Sequence, residues 1–464
     1  MKRVIALVGR PNVGKSTLFN RLTKTRDALV ADEPGLTRDR RYGTVKFEDT
    51  RYILIDTGGI SGDDGIDELI ADQAYQAITE SDVVLFLVDG RAGMTAGDES
   101  IAQRLRESGK PVIVAVNKTE GMNSNVITSE FYSLGVDRVC ACSSAHGDGV
   151  GGMLEEVGEL FPDDASEENK DAEDLRCAKV AIVGRPNVGK STLVNRLIGE
   201  ERVLAYDMPG TTRDSIYIPF EHRDQQFTLI DTAGVRRKSR VNDKIEKFSI
   251  VKTLQAIEAS NVAILVLDAH QGVSSQDASL LGYIIDSGKA LLIAVNKWDH
   301  LAKDKKEHVK KELDRKLAFA DYASIHYISA LHGTGVGKLF AVVSRIYEIS
   351  RTTYQTNFLT QILEDAIKSH APPVSGGQRI KLRYAHQGGQ NPPVIVIHGN
   401  KTDKVPDAYR KYLINIFRKV LKIEGTPIRI EFRSSKNPFE GKRNKLTKRQ
   451  IYKKKRLTRY SKKK

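Results

Sequence analysis

Up to Arg351, apolar side chains come in short unbroken runs rather than alternating with polar ones: 4–8, 52–55, 83–88 and 112–116, then 262–267 and 291–295. Such runs suit strands buried on both faces. Stretches of helical length separate them, so the order reads as βαβ units. It predicts two α/β domains, each with a mostly parallel sheet and helices on both faces. After Arg351 the rhythm changes. A helical pattern at 357–369 is followed by strand-like segments at 379–386 and 394–398, a helix at 407–421 and a last strand at 428–433. Helix, strand, strand, helix, strand predicts a small α+β domain with its helices on one face of a three-stranded sheet. Pro372-Pro373 and Pro392-Pro393 fall between these elements, as turn residues.

The two α/β halves repeat one another. The eleven residues VGRPNVGKSTL occupy 8–18 and return, unchanged, 175 positions later at 183–193. The same offset joins Pro34-Gly35 to Pro209-Gly210, Arg38-Asp39 to Arg213-Asp214 and Asp56-Thr57 to Asp231-Thr232. It becomes 179 at Asp89/Asp268 and Asn117/Asn296, and 185 if Ser144-Ala145 is set against Ser329-Ala330. Small length changes between motifs are what surface loops tolerate. The expected boundaries are a first domain at 1–162, a linker at 163–175, a second domain at 176–351, the α+β domain at 352–440 and a tail at 441–464.

Composition changes this picture at both connecting segments. Residues 163–174 read DDASEENKDAED, seven acids to one lysine, the signature of an extended linker. Of the formal charge of +14, the tail 441–464 holds thirteen Lys or Arg and no acid, which leaves +1 for the rest. The basic character belongs to an appendage available to polyanions. Cys140, Cys142 and Cys177 have no metal-ligand or disulfide spacing, which fits a reducing cytoplasm. The N-terminal apolar run is too short for a secretory signal or a membrane span.

The repeated segment carries the chemistry. Gly9-Arg10-Pro11-Asn12-Val13-Gly14-Lys15-Ser16 and Gly184-Arg185-Pro186-Asn187-Val188-Gly189-Lys190-Ser191 both fit G-x-x-x-x-G-K-[ST], between a strand and a helix. Glycines allow close backbone approach to phosphates, Lys15 and Lys190 neutralise the outer oxygens, and Ser16 and Ser191 are expected magnesium ligands. Asp56-Thr57-Gly58-Gly59-Ile60 and Asp231-Thr232-Ala233-Gly234-Val235 follow strands. The aspartates are expected as second magnesium carboxylates at the carboxyl edge of the sheet. Gly59 and Gly234 would present an N–H to the γ-phosphate. Where Ras-type enzymes carry a water-orienting glutamine, this chain has Ile60 and Val235, so intrinsic hydrolysis should be slow and rely on positioning, ions or an outside activator.

Base choice falls to Asn117-Lys118-Thr119-Glu120 and Asn296-Lys297-Trp298-Asp299, each directly after an apolar run. A carboxylate accepts from the N1 and N2 donors of guanine, a pairing adenine cannot reproduce. Glu120 keeps that charge on a side chain longer by one methylene. Ser144-Ala145 and Ser329-Ala330 are expected to offer N–H groups to the base oxygen. In 34–37 and 209–212 the first repeat has Leu36, which cannot bind metal, so Thr37 and Thr212 are the candidates for a hydroxyl closing over the γ-phosphate and magnesium, with a purely structural role as the alternative.

The duplicated GRPNVGKST, PG[LT]TRD and DT[GA]G motifs, with NKTE and NKWD, resemble the Der (EngA) family of double Era-like bacterial GTPases over essentially the full chain. The resemblance implies hydrolysis of GTP to GDP, a role in ribosome biogenesis and nucleotide-dependent association with the large ribosomal subunit and its rRNA. It also implies a KH-like third domain. Related enzymes with asparagine in the phosphate loop use potassium, which would place that ion at Asn12 and Asn187; a loop-stabilising role is the alternative. The G-x-x-G with which KH domains clamp RNA is missing, and His398-Gly399-Asn400-Lys401 stands at the nearest suitable turn. The third domain is therefore expected either to contact RNA or to serve as a docking surface. In the tail, Tyr452 and Tyr460 sit among Lys453–Arg456, Arg459 and Lys462–Lys464, a pattern suited to RNA. Residues 235–238 after the second D-T-A-G are read as either an RNA contact or a switch loop. A membrane-surface switch lacks a prenylation cysteine and an apolar face, and a metabolic kinase lacks an acceptor-activating motif. The expectation is a monomeric, cytoplasmic GTPase with no membrane partner.

Overall fold

The computed structural model describes residues 3–23, 29–30, 41–47, 50–57, 75–161, 177–200, 217–222, 225–230, 250–299, 301–375 and 378–434. In the first domain the elements are β1 (Arg3–Val8), α1 (Lys15–Thr23), β2 (Leu29–Val30), β3 (Arg41–Phe47), β4 (Thr50–Asp56), β5 (Val83–Asp89), α2 (Ala96–Glu107), β6 (Val112–Asn117), α3 (Ser124–Phe131), β7 (Arg138–Ala141) and α4 (Val150–Glu159). They form one sheet in the order β2-β3-β4-β1-β5-β6-β7. Strand β1 runs parallel to both neighbours, β4 and β5, while β2 and β3 make an antiparallel edge. The unbroken runs are buried on both faces. Val4, Ala6 and Val8 enter one core and Ile5 and Leu7 the other, each fully buried. Strand β3, which like β2 and β7 the apolar runs did not reveal, is only half covered.

The second domain repeats this plan with β8 (Ala178–Val183), α5 (Lys190–Glu200), β9 (Tyr217–His222), β10 (Gln225–Ile230), α6 (Ile250–Ala259), β11 (Val262–Asp268), α7 (Ser275–Asp286), β12 (Ala290–Asn296), α8 (Lys303–Lys316), β13 (Ser324–Tyr327) and α9 (Leu339–Arg351). Its sheet order is β13-β12-β11-β8-β10-β9, with β9 antiparallel at the edge. Helices α2 and α7 start in the same way. Thr95 and Ser274 cap them, and the buried carboxylates of Asp98 and Asp277 three residues on accept in return from the N–H of the capping residue.

The third domain contains α10 (Thr356–Ser369), a two-residue hairpin of β14 (Val374–Ser375) and β15 (Gln378–Arg379), β16 (Lys381–Gly389), β17 (Val394–Asn400), α11 (Asp407–Leu421) and β18 (Arg429–Ser434). Its sheet is β16-β17-β18, antiparallel then parallel, in the expected element order. Leu359, Ile362, Leu363 and Ala366 form the buried stripe of α10, and Tyr409, Leu413 and Phe417 that of α11. One expectation is corrected: His398, Gly399 and Asn400 lie within β17, not in a turn. A Cβ on Gly399 would stand 2.2 Å from the Lys381 carbonyl oxygen, so this glycine serves strand pairing.

By contacts, the compact unit holding 1–352 also takes in 390–393 and 423–428, and Gly425 exchanges backbone hydrogen bonds with Tyr322 (2.8 Å) and Leu291 (2.6 Å) there. Among the described residues no helix is long and apolar enough to cross a membrane.

Candidate nucleotide sites

The phosphate loop leaves β1 at Gly9 and enters α1 at Lys15. Close packing dictates its glycines. At Gly14, with φ of +102°, a Cβ would stand 2.2 Å from the Asn117 Nδ2; at Gly189 (φ +100°) the same distance separates it from the Asn296 Nδ2. Asn12 and Asn187 also take left-handed backbone, at φ 64° and 62°, a conformation asparagine tolerates. Helices α1 and α5 follow directly, and the N-terminal turn of a helix is an arrangement that can receive phosphate.

Lys15 is buried and its Nζ donates to the carbonyl oxygens of Gly9 and Arg10, both at 2.7 Å. Lys190 does the same to Gly184 (2.9 Å) and Arg185 (2.7 Å). Burial pulls the Lys15 ammonium down to about 8, so an anion in the loop would be drawn to a charge that is poorly solvated without it. The Ser16 hydroxyl donates to the Asp56 Oδ2 at 3.0 Å, and Asp56 is buried at the end of β4. A hydroxyl oxygen beside a buried carboxylate at a phosphate loop is a donor set that fits magnesium. Thr57 anchors this corner through its hydroxyl to the Leu7 carbonyl at 2.7 Å. Ser191 stands at the start of α5 in the same position. Thr37, Gly58, Gly59 and Ile60 lie outside the described residues, as do Thr212, Asp231, Thr232, Ala233, Gly234, Val235 and the basic 236–238 segment.

The base loops share a second set of bonds. Asn117 ties three segments together: its Nδ2 donates to the Val13 carbonyl (2.7 Å) and its Oδ1 accepts from the Ser144 N–H (2.8 Å). Asn296 does so with Val188 and Ala330, both at 2.8 Å. Lys118 reaches the Asp89 Oδ2 at 2.7 Å and Lys297 the Asp268 Oδ2 at 2.6 Å. Both lysines have positive φ, 64° and 63°. Thr119 N–H and hydroxyl bind the Cys142 carbonyl, and the Trp298 N–H binds that of Ile328. Trp298 packs on Tyr327 with ring centroids 4.2 Å apart.

These bonds correct the internal alignment by one residue. Asn117 pairs with Ser144 as Asn296 pairs with Ala330, and the hydroxyls of Ser143 and Ser329 accept from His146 and His332 N–H groups. Ser144 therefore corresponds to Ala330, and Ser143 to Ser329, at an offset of 186. The repeated serine had hidden the shift. Several site residues escaped the sequence reading. Arg21 and Arg196 bind the Ser144 and Ala330 carbonyls at 2.6 and 3.4 Å, joining α1 and α5 to the base loops. The buried capping acids Asp98 and Asp277 also escaped it; they pair at 2.8 Å with Arg10 and Arg185, which the phosphate-loop motif had already named. Each pair keeps a repeat offset, 175 or 179, which is the signal that would have exposed them.

Comparison with known proteins agrees with this geometry. The family described as "50S ribosome-binding GTPase" matches 4–118 and again 179–297, and that described as "KH-domain-like of EngA bacterial GTPase enzymes, C-terminal" matches 354–433. GTPase Der of Thioalkalivibrio sulfidiphilus is 57% identical over 465 residues, covering 100% of both chains. GTPase Der of Hahella chejuensis is 55% identical over 464 residues, covering 100% of this chain and 98% of its own. Among solved structures, the G domain of the T. maritima FeoB iron transporter is 29% identical, covering 34% of this chain and 99% of that one, with a TM-score of 0.29. Two phosphate loops, two base loops and likeness along the whole chain lead to one assignment: the chain belongs to the Der family of GTPases, which hydrolyse GTP to GDP and phosphate.

Proposed function

We propose that this GTPase is a ribosome-biogenesis factor whose two nucleotide domains, by their GTP or GDP state, control association with the large ribosomal subunit and its rRNA. The observation that carries the reading is the joining, in one chain, of two phosphate-loop motifs to a KH-like domain and a tail, 441–464, that holds thirteen Lys or Arg. Lys15 and Lys190 hold the outer phosphates, and Glu120 and Asp299 read the guanine edge. Ser16 with Asp56, and Ser191 with Asp231, would hold magnesium, with Thr37 and Thr212 closing over it. Magnesium, when bound, offsets charge on the β- and γ-phosphate oxygens. Potassium is assigned to Asn12 and Asn187 on the resemblance alone.

The test is co-sedimentation of the full chain with ribosomal subunits in GDP and in a non-hydrolysable GTP analogue. Large-subunit binding should depend on the nucleotide. If about six tail charges meet phosphates, the logarithm of affinity falls with that of salt at a slope of about −5. Binding to anionic liposomes but not to ribosomal particles would overturn the reading.

A further inference from the structure

The helices that follow β6 and β12 differ more between the two GTPase domains than any other repeated element. Both keep one acid in the same place: a Cβ on Gly93 would stand 3.3 Å from the Glu130 carboxylate of α3, and one on Gly272 2.9 Å from the Glu312 carboxylate of α8. The offset between the repeats grows from 179 at Asn117/Asn296 to 186 at Ser143/Ser329, so the second domain is seven residues longer across this helix. The added length is charged. Helix α3 has no Lys or Arg, whereas α8 has seven, against four acids, and buries only Val309 and Leu313. Because α3 takes the same place without cations, the fold does not demand those of α8.

Helical spacing puts Lys303, Lys306 and Lys310 along one flank of α8. Two of them are seated on aromatic rings. Lys306 Nζ lies 5.6 Å from the Trp298 ring centroid and Lys310 Nζ 5.4 Å from that of Tyr327, and the two rings pack on each other. Such a seat steadies a flexible stem and leaves ammonium donors for a further partner, so less entropy is lost when that partner binds. The first domain cannot build it. Tyr327 pairs with Val295 in the sheet as Ala141 pairs with Val116, and Trp298 stands where the first domain has Thr119. Among the described residues, the pair of Lys316 with Glu312 is the one ion pair that α8 makes, so the charges of Lys303, Lys306 and Lys310 are not matched by an acid there.

We propose that the Lys303, Lys306 and Lys310 flank of α8 is a contact for the phosphate backbone of RNA, carried by the second GTPase domain and separate from the basic tail. A row of steadied, unmatched cations suits a polyanion whose charges recur along a strand, and releases its counterions. A lipid surface fits less well, because α8 has no exposed apolar side chain to enter it. The inference rests on the reading that the chain associates with ribosomal RNA. It adds a place on the folded domain where that association is made.

The experiment measures binding of the full chain to protein-free large-subunit rRNA, with KCl varied between about 50 and 200 mM. Lys303→Gln, Lys306→Gln and Lys310→Gln should each flatten the slope of log affinity against log salt by about 1, and the triple variant by about 2 to 3. Lys306→Arg and Lys310→Arg keep both the charge and the ring contact and should keep the parental slope. Lys46→Gln alters an exposed lysine of the first domain and should leave the slope as it was. Thermal melting confirms that the variants are folded. An unchanged slope in the triple variant, or one flattened as much by Lys46→Gln as by Lys306→Gln, overturns the inference. So does a triple variant that loses phosphatidylglycerol vesicles but still binds rRNA as its parent does. A parent chain that binds no rRNA overturns the ribosomal reading as well.

Discussion

The two GTPase domains are alike at the loops proposed to hold phosphate and unlike at those proposed to read the base. At the phosphate end the bonds superimpose: each lysine on the two carbonyls that open its loop, each second glycine against an asparagine amide, each loop arginine on a buried capping acid. At the base end, Glu120 is held by Ser143 and Arg91, whereas Asp299 faces His332 Nε2 at 3.1 Å. The difference follows from what each end demands. A triphosphate is cradled by backbone N–H groups, so only a few residue types permit the geometry. A base edge is read by side-chain donors and acceptors, and one change can be offset by another nearby.

The strongest test of that likeness is paired removal of the lysines. Lys15→Ala and Lys190→Ala should each lower GTP turnover by about a hundredfold or more at the altered site, as expected when a donor to developing phosphate charge is lost. Nucleotide binding by the other domain should survive, read as one remaining isotherm in a calorimetric titration. Loss of both isotherms in either variant would mean that the sites do not act separately.

Proton linkage sharpens the comparison from the side of the first loop. Burial sets the free Lys15 ammonium at about 8, and nucleotide phosphate favours its charged form. Below pH 8 the proton is already in place, and GDP affinity should be flat. Above it, binding must recover the proton, so affinity should fall about tenfold per pH unit until the bound lysine itself titrates. GDP titrations of the Lys190→Ala chain between pH 7 and 9.5, in buffers of different ionisation enthalpy, should show proton uptake approaching one per site. A flat profile with no uptake would remove Lys15 as the titrating group.

What the sequence revealed, and what it hid, divides along the same physical line. Runs such as 4–8 and 262–267 were legible because a strand buried on both faces admits only apolar side chains. Gly14, Lys15, Asn117 and Lys118 stood out because their motifs require those residue types at fixed spacing, and the structure packs Gly14 against Asn117 and ties Lys15 to the Gly9 carbonyl. Strand β3 was not, since a strand one place in from the sheet edge and half exposed to water tolerates Arg41, Thr44 and Lys46. Ser143 and Arg91 were missed for another reason: their contacts join segments far apart in sequence, and no local pattern marks them. In the base loops the doubled serine at 143–144 moved the register by one, and only the bonds to Asn117 and Asn296 resolved it.

The smallest expected effect concerns the arginine that opens each loop. Asp98 and Asp277 are wholly buried, cap their helices and hold Arg10 and Arg185. Asn keeps the volume and much of the capping role but loses the charge, so Asp98→Asn and Asp277→Asn should each cost about 1 kcal/mol of domain stability. Because Arg10 and Arg185 begin the phosphate loops, GDP affinity at the altered site should drop by about threefold, an indirect effect smaller than loss of a direct ligand. Differential scanning calorimetry with and without GDP measures both quantities. Equal shifts would show that the phosphate ends are equivalent in energy as well as geometry. A shift confined to one domain would show that the likeness stops at the bonds, and that divergence at the base end extends into the loop itself.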